Sequence, residues 1–287
     1  MTGGAARVTS GRPRLLDTHT VTDRIPSQIP DLARQWLADL RESLGFLTRL
    51  PVRHDAPTPR PAAMRAFPLA GAVVGFCGGL IYWCADAANL PASLCALLAV
   101  AIMVAVTGAL HEDGIADTAD GFGGGADRER KLEIMRDSRI GSFGVIALLL
   151  VIAIKVFAIV ALAERSGNPA MPLYALIGSA ALSRAMAVWL LRLLPPARDD
   201  GLSARAGRPG RRVVMQAVIA GALLAGLPVL LAVGLSPLIM AAAAAGFGLW
   251  LVKRLAKAQI QGQTGDVAGA CQQVSECFYL IALTTAV

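Results

Sequence analysis

The sequence predicts an all-α, polytopic membrane protein with about seven transmembrane helices. Of its 287 residues, 55% are hydrophobic and only 16% are charged, and the mean hydropathy is +0.57. These values lie outside the range that is typical of soluble globular proteins. Aromatic residues make up only 5% of the chain, whereas glycine is abundant with 29 residues. Small residues let transmembrane helices approach closely, so the composition favours a tightly packed helical bundle.

Seven apolar stretches are long enough, or nearly so, to cross a bilayer as helices. They lie at 67–88, 92–111, 142–163, 171–194, 213–233, 235–252 and 266–287. The connections differ strongly in Lys and Arg content, since segments 1–66, 112–141, 195–212 and 253–265 hold 23 of the 27. Cytoplasmic loops are enriched in these residues. The pattern therefore predicts a multi-pass protein of the cell inner membrane, with the N-terminus and these four segments in the cytoplasm.

The chain divides into a polar N-terminal leader, residues 1–40, and a single membrane-embedded catalytic domain, residues 41–287. The leader lacks the apolar core of a signal peptide, and its composition predicts a partly disordered segment. An amphipathic helix is predicted around Trp36–Leu47.

Net charge and cysteine usage exclude two classes of function. The net charge of +7 is explained by the positive-inside pattern and by attraction to the anionic lipid headgroups of the bilayer. No basic stretch carries interleaved aromatic residues, so no nucleic acid is expected as a partner. The five cysteines all fall in or beside apolar runs without a partner at zinc spacing, and they are expected to be packing residues.

The segment 107–144 contains five carboxylates that we predict as metal ligands: Asp113, Asp117, Asp120, Glu133 and Asp137. On a helix that continues past Leu110, the first three stand at i, i+4 and i+7, within roughly a 60° arc of one face. Carboxylates beside a bilayer are costly to desolvate unless a cation balances them. Mg²⁺ prefers oxygen ligands and substrate phosphates, so the cluster predicts a Mg²⁺-dependent phosphotransfer enzyme.

A glycine cluster, Gly123, Gly124 and Gly125, is predicted to end that helix and to let backbone N–H groups approach phosphate. A second helix is expected to place Glu133 and Asp137 at i and i+4, facing the first three carboxylates. Two metal ions held between them would neutralise charge during displacement at phosphorus. Residues 127–131 are interpreted as ordinary surface charge.

Further polar residues lie near this segment or within spans. Arg139 is predicted to clamp phosphate, and His111 to orient a ligand or carry a proton, although both also suit a membrane interface. Lys155 and Arg184 lie deep within spans, where charges usually face a protein interior, and Glu276 is a candidate counter-ion for one of them. Before the last span, the turn with Thr264, Gly265 and Asp266 is predicted to bind substrate, or else to serve as a loop and N-cap.

The central block resembles the cobalamin synthase family, and the resemblance covers roughly residues 40–287. It rests on the stretch from His111 to Gly121 with the glycine-rich turn, and on the stretch from Glu133 to Gly144. Weaker support comes from Phe46-Leu-Thr-Arg49-Leu-Pro51, Phe67-Pro68 with Gly71 and Gly75, Ser183-Arg184 and Thr264-Gly265-Asp266. Gln261 stands where this family pattern leads us to expect glycine.

The resemblance implies a reaction in which a ribose hydroxyl of α-ribazole, or of its 5′-phosphate, attacks the cobinamide-side phosphorus of adenosylcobinamide-GDP. GMP leaves, adenosylcobalamin or its 5′-phosphate forms, and Mg²⁺ is required. In that reaction Glu133, Asp137 and His111 are the catalytic candidates. Substrate and phosphate contacts are assigned to Arg49, Arg139, Arg184, Gly123, Gly124, Gly125, Thr264, Gly265 and Asp266.

Two alternatives remain open. The spacing Asp117-Thr-Ala-Asp120-Gly121 and the Glu133/Asp137 pair are also distantly like CDP-alcohol phosphotransferases of lipid synthesis, but Gly124-Gly125 replaces the expected Ala-Arg. A secondary transporter would use Lys155, Arg184 and Glu276 as coupling charges, yet the acidic cluster lies at a membrane boundary. The oligomeric state is also open, and a homo-oligomer is one option.

Overall fold

The computed structural model describes residues 1–3, 31–52 and 58–285, and it is built of helices. The described part contains eleven α-helices and a short 3₁₀ turn at Ala63–Ala66, and its only β-type pairing is an isolated bridge between Pro196 and Gln263. The helices are α1 Asp31–Leu47, α2 Phe67–Ala87, α3 Ala92–Thr107, α4 Leu110–Gly124, α5 Arg128–Ile134, α6 Ser142–Arg165, α7 Met171–Leu193, α8 Leu202–Ala206, α9 Arg211–Val233, α10 Leu235–Gln259 and α11 Gly265–Thr284.

The predicted all-α, polytopic architecture is confirmed, but the number of spans differs. Helices occupy all seven predicted positions, and five stretches of the described chain are long and apolar enough to cross a membrane: the 3₁₀ turn with α2, and α6, α7, α9 and α10. The bent pair α3–α4 would make a sixth. Helix α11 is not among them, because Gln272, Gln273 and Glu276 lower its hydropathy, and these side chains are buried inside the protein instead.

Glycines at every fourth position bring α2 against α7. A Cβ added at Gly75 would lie 2.2 Å from the carbonyl oxygen of Leu176, and one at Gly71 would lie 2.3 Å from that of Ala180. The backbones therefore meet at a distance that only glycine permits. Small residues of this kind are the usual means of helix association in a membrane, where no hydrophobic force drives apolar helices together. Helix α7 is the most buried of the candidate spans.

Helices α3 and α4 are separated by a sharp bend of 89°. Gly108 and Ala109 both adopt left-handed backbone conformations, with φ of 63° and 58°. The prediction that the carboxylate helix simply continues the second span is therefore wrong, because two successive left-handed residues end one helix and redirect the chain into the next. The backbone N–H of Arg49 bonds the carbonyl of Val106 at 2.7 Å, which fixes the segment after α1 against the bend.

Helix α1 confirms the predicted amphipathic helix and extends it backwards to Asp31, across the predicted boundary at residue 40. Its buried Asp39 accepts a hydrogen bond from Nε of Arg65 at 2.6 Å and another from Arg60 at 3.1 Å. These bonds hold α1 against the 3₁₀ turn that precedes α2. Most of the predicted leader, residues 4–30, lies outside the described residues.

Candidate active site

A cavity of about 280 Å³ opens where the ends of α1, α4, α7 and α11 meet the segment that connects α7 to α9. One side of it is charged, with His111, Asp113, Arg184, Arg198 and Asp266 among its lining residues. The other side is apolar and is lined by Phe46, Leu47, Met64, Phe67, Leu110 and Leu191. A concave site that combines an apolar wall with a few convergent polar groups is the usual form of a small-molecule site.

Close packing of α4 against α11 brings carboxylates from both helices together. A Cβ at Gly114 would lie 2.8 Å from the carbonyl oxygen of Asp266, so these helices touch through backbone. The half-buried Asp117 is repelled by both Asp113 and Asp266 and attracted by Arg198. The guanidinium of Arg198 lies 3.6 Å from the carboxylate of Asp266. Arg198 was not among the residues predicted from the sequence, because it lies in a polar loop that holds several other Arg residues.

Asp120 interacts with the start of α6 instead of with the other carboxylates. Its two carboxylate oxygens accept hydrogen bonds from the backbone N–H groups of Gly141 at 2.7 Å and Gly144 at 2.8 Å. Those N–H groups belong to the first turn of α6, which has no partner for them within the helix. The aspartate is buried, and a Cβ at either glycine would lie 2.4 Å from its carboxylate. In this structure Asp120 therefore caps α6, which explains why glycines follow at 141 and 144.

Glu133, Asp137 and Arg139 lie outside the lining of the cavity. The prediction that Glu133 and Asp137 share one helix is wrong, because α5 ends at Ile134 and Asp137 lies in the turn beyond it. The exposed carboxylate of Glu133 pairs with Arg130 at 2.6 Å. Asp137 accepts hydrogen bonds from the side chain and the backbone N–H of Arg139, which lower the pKa of Asp137 from its ordinary 3.8 to about 2.

The glycine cluster at the end of α4 makes room for neighbouring side chains. A Cβ at Gly125 would lie 2.4 Å from the side chain of Lys131, and one at Gly123 would lie 2.7 Å from the ring of Phe143. The chain turns back after Gly125 so that α5 packs along α4. The predicted approach of phosphate to Gly123, Gly124 and Gly125 stays a prediction, and the structure gives a packing reason for glycine at positions 123 and 125.

Arg128 corrects the interpretation of residues 127–131 as surface charge. Its Nε donates to the carbonyl of Ile260 at 3.0 Å, and its Nη2 donates to the carbonyl of Ala197. One arginine thus ties the segment after α7 to the turn before α11. Asp127 is also structural, since its carboxylate accepts the backbone N–H of Arg130 at 2.8 Å and caps α5.

The turn before α11 is held by backbone pairing. The N–H of Ala197 donates to the carbonyl of Gln263 at 2.8 Å, and the N–H of Gln263 donates to that of Pro195 at 2.9 Å. Gln261 adopts a left-handed conformation with φ of 56°, which explains why glycine was expected there. Thr264 caps α11 by accepting the N–H of Val267 at 3.2 Å. The two residues that follow Thr264, Gly265 and Asp266, line the cavity.

A buried polar network lies behind the cavity, between α4, α6, α7 and α11. Nζ of Lys155 lies 2.7 Å from Oε2 of Glu276 and 3.9 Å from Oε1 of Glu112. The prediction that Glu276 is the counter-ion of a buried base is confirmed for Lys155. The side-chain amide of Gln273 donates to Glu112 at 2.8 Å. Glu112 was not among the residues predicted from the sequence, although it lies between His111 and the first of the predicted ligands.

His111 and Arg184 connect this network to the cavity, because both residues line the cavity and the small polar space beside the network. Arg184 is buried, and its Nη1 donates to the carbonyl of Ala180 at 3.0 Å. Arg49 is exposed, and its side chain lies over Gly108 at the bend rather than among the residues that line the cavity.

The five predicted metal ligands are not brought together. Within the described chain, no group of three or more His, Cys, Asp and Glu side chains could hold a metal ion. Mg²⁺, however, usually binds through one or two carboxylates and completes its shell with water and substrate phosphates. Asp113 and Asp266 line the cavity, and Asp117, one turn further along α4 than Asp113, is repelled by both of them, so these carboxylates offer donors of that kind.

Comparison with known proteins gives one consistent result. The profile of the family described as cobalamin-5-phosphate synthase matches residues 39–284. A protein of Azorhizobium caulinodans, named adenosylcobinamide-GDP ribazoletransferase, is 47% identical over 251 residues, which cover 85% of this chain and 94% of the relative. A relative of the same name from Bradyrhizobium diazoefficiens is 45% identical, over 86% of this chain and 94% of the relative. Another from Rhizobium etli is 40% identical, over 88% of this chain and 98% of the relative. No solved structure matches.

Proposed function

Because this chain belongs to the cobalamin-5-phosphate synthase family, we propose that it is an adenosylcobinamide-GDP ribazoletransferase. It transfers the adenosylcobinamide-phosphate group to a ribose hydroxyl of α-ribazole or α-ribazole 5′-phosphate. The new bond joins the hydroxyl oxygen to the cobinamide-side phosphorus, and the bond from that phosphorus to the GMP moiety breaks. The observation that carries the proposal is the match to relatives of this name over most of both chains.

The enzyme lies in the cell inner membrane, with the N-terminus and the cavity on the cytoplasmic side. This orientation follows from the Lys and Arg residues, of which 23 of 27 fall in alternating connections. All four of these segments contribute residues to the lining of the cavity, for example Phe46, Asp113, Arg198 and Gly265. Substrates with phosphate groups can then reach the site from the cytosol.

Magnesium is the proposed cofactor, and Asp113 and Asp117, with Asp266 beside them, would hold it. The mutual repulsion of these carboxylates supports this assignment, because a cation would convert it into binding energy. When bound, Mg²⁺ would neutralise charge on the diphosphate during displacement. Asp120, Glu133 and Asp137 are not included, since Glu133 and Asp137 lie outside the cavity lining and both carboxylate oxygens of Asp120 accept backbone hydrogen bonds from α6.

The remaining polar residues of the cavity provide binding and proton transfer. Arg198 and Arg184 lie on its charged side, where guanidinium groups can hold phosphate oxygens and offset charge on departing GMP. His111 also lines the cavity, and a neutral imidazole nitrogen can accept the proton that the attacking hydroxyl loses.

The proposal is tested by incubating membranes that contain the protein with adenosylcobinamide-GDP, α-ribazole and Mg²⁺ and measuring GMP release. Asp117→Asn should lower turnover by more than about a hundredfold while the protein still inserts, because an amide is a weaker ligand than a carboxylate. Asp86→Asn is the matched control, since Asp86 is exposed at the far end of α2 and should be replaceable without loss.

Two outcomes would contradict the proposal at different levels. If wild-type membranes release no more GMP than membranes without the protein, while an authentic family member is active alongside, the assigned reaction is wrong. If the reaction proceeds but Asp117→Asn is as active as Asp86→Asn, only the assignment of Asp117 to the metal is wrong.

A further inference from the structure

The cavity is divided into a charged side and an apolar side, and the apolar side has no role in the reaction described so far. It is formed by residues at the end of α1, in the 3₁₀ turn, at the start of α2 and near the end of α7. Phe46 is half-buried, whereas Phe67, Met64 and Leu47 are buried. An apolar wall inside a substrate cavity favours an apolar part of a ligand, because their contact removes further apolar surface from water.

The wall contains an aromatic pair. The rings of Phe46 and Phe67 are stacked, with centroids 6.1 Å apart and planes inclined by 22°. Aromatic rings prefer offset-stacked or edge-on contacts with other aromatic rings, and such contacts add to the effect of area burial. A flat aromatic ligand therefore gains more from this wall than an aliphatic ligand of the same area.

The wall is also fixed in place. Asp39 on α1 binds Arg65 and Arg60, and Oγ of Ser43 donates to the carbonyl of Ala63 at 3.1 Å. These bonds attach α1 to the 3₁₀ turn, so that the ring of Phe46 is held beside the start of α2. A preorganised wall costs little to order when a ligand binds.

The chemistry of the substrates decides which part of them fits. The base of α-ribazole is an uncharged, fused aromatic ring with two methyl groups, and it is joined to the ribose that must reach the reacting phosphorus. Guanine carries several hydrogen-bonding groups that an apolar wall would leave unpaired, which is unfavourable.

We propose that the wall formed by Phe46, Phe67, Met64, Leu47 and Leu191 is the subsite that receives the planar base of the acceptor nucleoside. This inference rests on the proposed function, because that function supplies the acceptor. With the base against the wall, the ribose points towards Asp113 and Arg198 on the charged side of the same cavity. The wall thereby selects acceptors by the apolar character of their base.

The test compares Phe46→Ala with wild type in the GMP-release assay, varying each substrate in turn. Removing the ring should raise the KM for α-ribazole by about tenfold and leave the KM for adenosylcobinamide-GDP within about twofold. Phe157→Ala is the matched control, because Phe157 lies on the outer surface of α6 with 72% of its surface exposed. Phe46→Leu, which keeps an apolar side chain, should give an intermediate KM and serves if the alanine variant is unstable.

A second acceptor measures selectivity directly. The α-riboside of benzimidazole lacks the two methyl groups, and wild type should use it about tenfold less efficiently than α-ribazole if both methyl groups are buried. This preference should shrink in Phe46→Ala and persist in Phe157→Ala. A variant with merely less folded enzyme would lose kcat equally for both acceptors and keep the preference.

The outcomes separate this inference from the proposed function. If wild type releases no GMP, the proposed function fails and the inference fails with it. If wild type is active but Phe46→Ala changes neither the KM for α-ribazole nor the preference, the subsite assignment alone is overturned. A similar rise in KM for both substrates would also overturn it, since the wall would then not distinguish acceptor from donor.

Discussion

Breaking the buried ion pair behind the cavity should destabilise the protein more than any surface change. Nζ of Lys155 lies 2.7 Å from Oε2 of Glu276 and 3.9 Å from Oε1 of Glu112, and the exposed fractions of these side chains are 6%, 2% and 10%. Removing one member of such a pair leaves a buried charge without compensation, which costs about 3–5 kcal/mol of the free energy of unfolding.

The structure also predicts an order among the variants. Lys155→Met leaves two buried carboxylates without their amine and should fall at the upper end of that range. Glu276→Gln leaves Lys155 beside Glu112, and should fall at the lower end. With roughly 2–4 °C per kcal/mol for a protein of this size, the unfolding midpoint should fall by about 6–20 °C. The double variant Lys155→Met/Glu276→Met should lose less than Lys155→Met alone, because one buried carboxylate, Glu112, is then left without the amine instead of two.

The assay is the thermal unfolding midpoint of the purified protein in detergent, with Lys257→Met as control. Lys257 is exposed in the last turn of α10, so its replacement should shift the midpoint by less than about 1 °C. Equal midpoints for Lys155→Met and Lys257→Met, or a lower midpoint for the double variant than for Lys155→Met, would show that the ion pair does not stabilise the protein in this way.

Three further predictions follow from local geometry. Gly75→Ala should lower the unfolding midpoint markedly, because its Cβ would lie 2.2 Å from the backbone of α7. In the control Gly246→Ala the new Cβ has no atom within 4 Å, so this change should be neutral or slightly stabilising. Equal effects of the two changes would contradict the role of Gly75 in packing. Gln261→Gly should raise the midpoint through relief of about 1 kcal/mol of left-handed strain without loss of GMP release, and a lower midpoint would show that the side chain matters more. In an NMR titration Asp137 should show a pKa of about 2. Its ionised form therefore stabilises the folded state above the ordinary pKa of 3.8, and this contribution is lost as the pH falls through about 2. Arg139→Gln should move the pKa of Asp137 towards 3.8, and an unchanged pKa would refute the role of that arginine.

Helix positions could be predicted from the sequence because they depend on local patterns. Long apolar runs gave helices at all seven expected places, and the amphipathic pattern gave α1. The bend at Gly108 and Ala109 escaped prediction, since a single glycine followed by alanine does not reveal two left-handed residues. Likewise, α11 resembled a span but carries Gln272, Gln273 and Glu276, which are buried against other helices.

The candidate site was predicted only in part, and the limits have a physical cause. Spacing along one helix placed Asp113, Asp117 and Asp120 on a common face, and this face exists. Which carboxylate meets which partner depends on the neighbouring helices, so Asp120 turned out to cap α6 while Asp113 lines the cavity. Arg198 lies beside Asp266 because the segment after α7 pairs through its backbone with the turn before α11. These two segments are distant in the chain, so no local sequence pattern predicts their pairing.

The amino-acid sequence by itself determined that this chain is helical and embedded in a membrane, and which of its segments are apolar and which are charged. Hydropathy, small-residue content and charge are properties of each segment, and a segment keeps them wherever it packs. The tertiary structure alone decided that Lys155 pairs with Glu276, that Asp266 approaches Asp113, and that an aromatic wall faces them across one cavity. Those relations join residues far apart in the chain, and they arise only when helices of fixed shape are packed together.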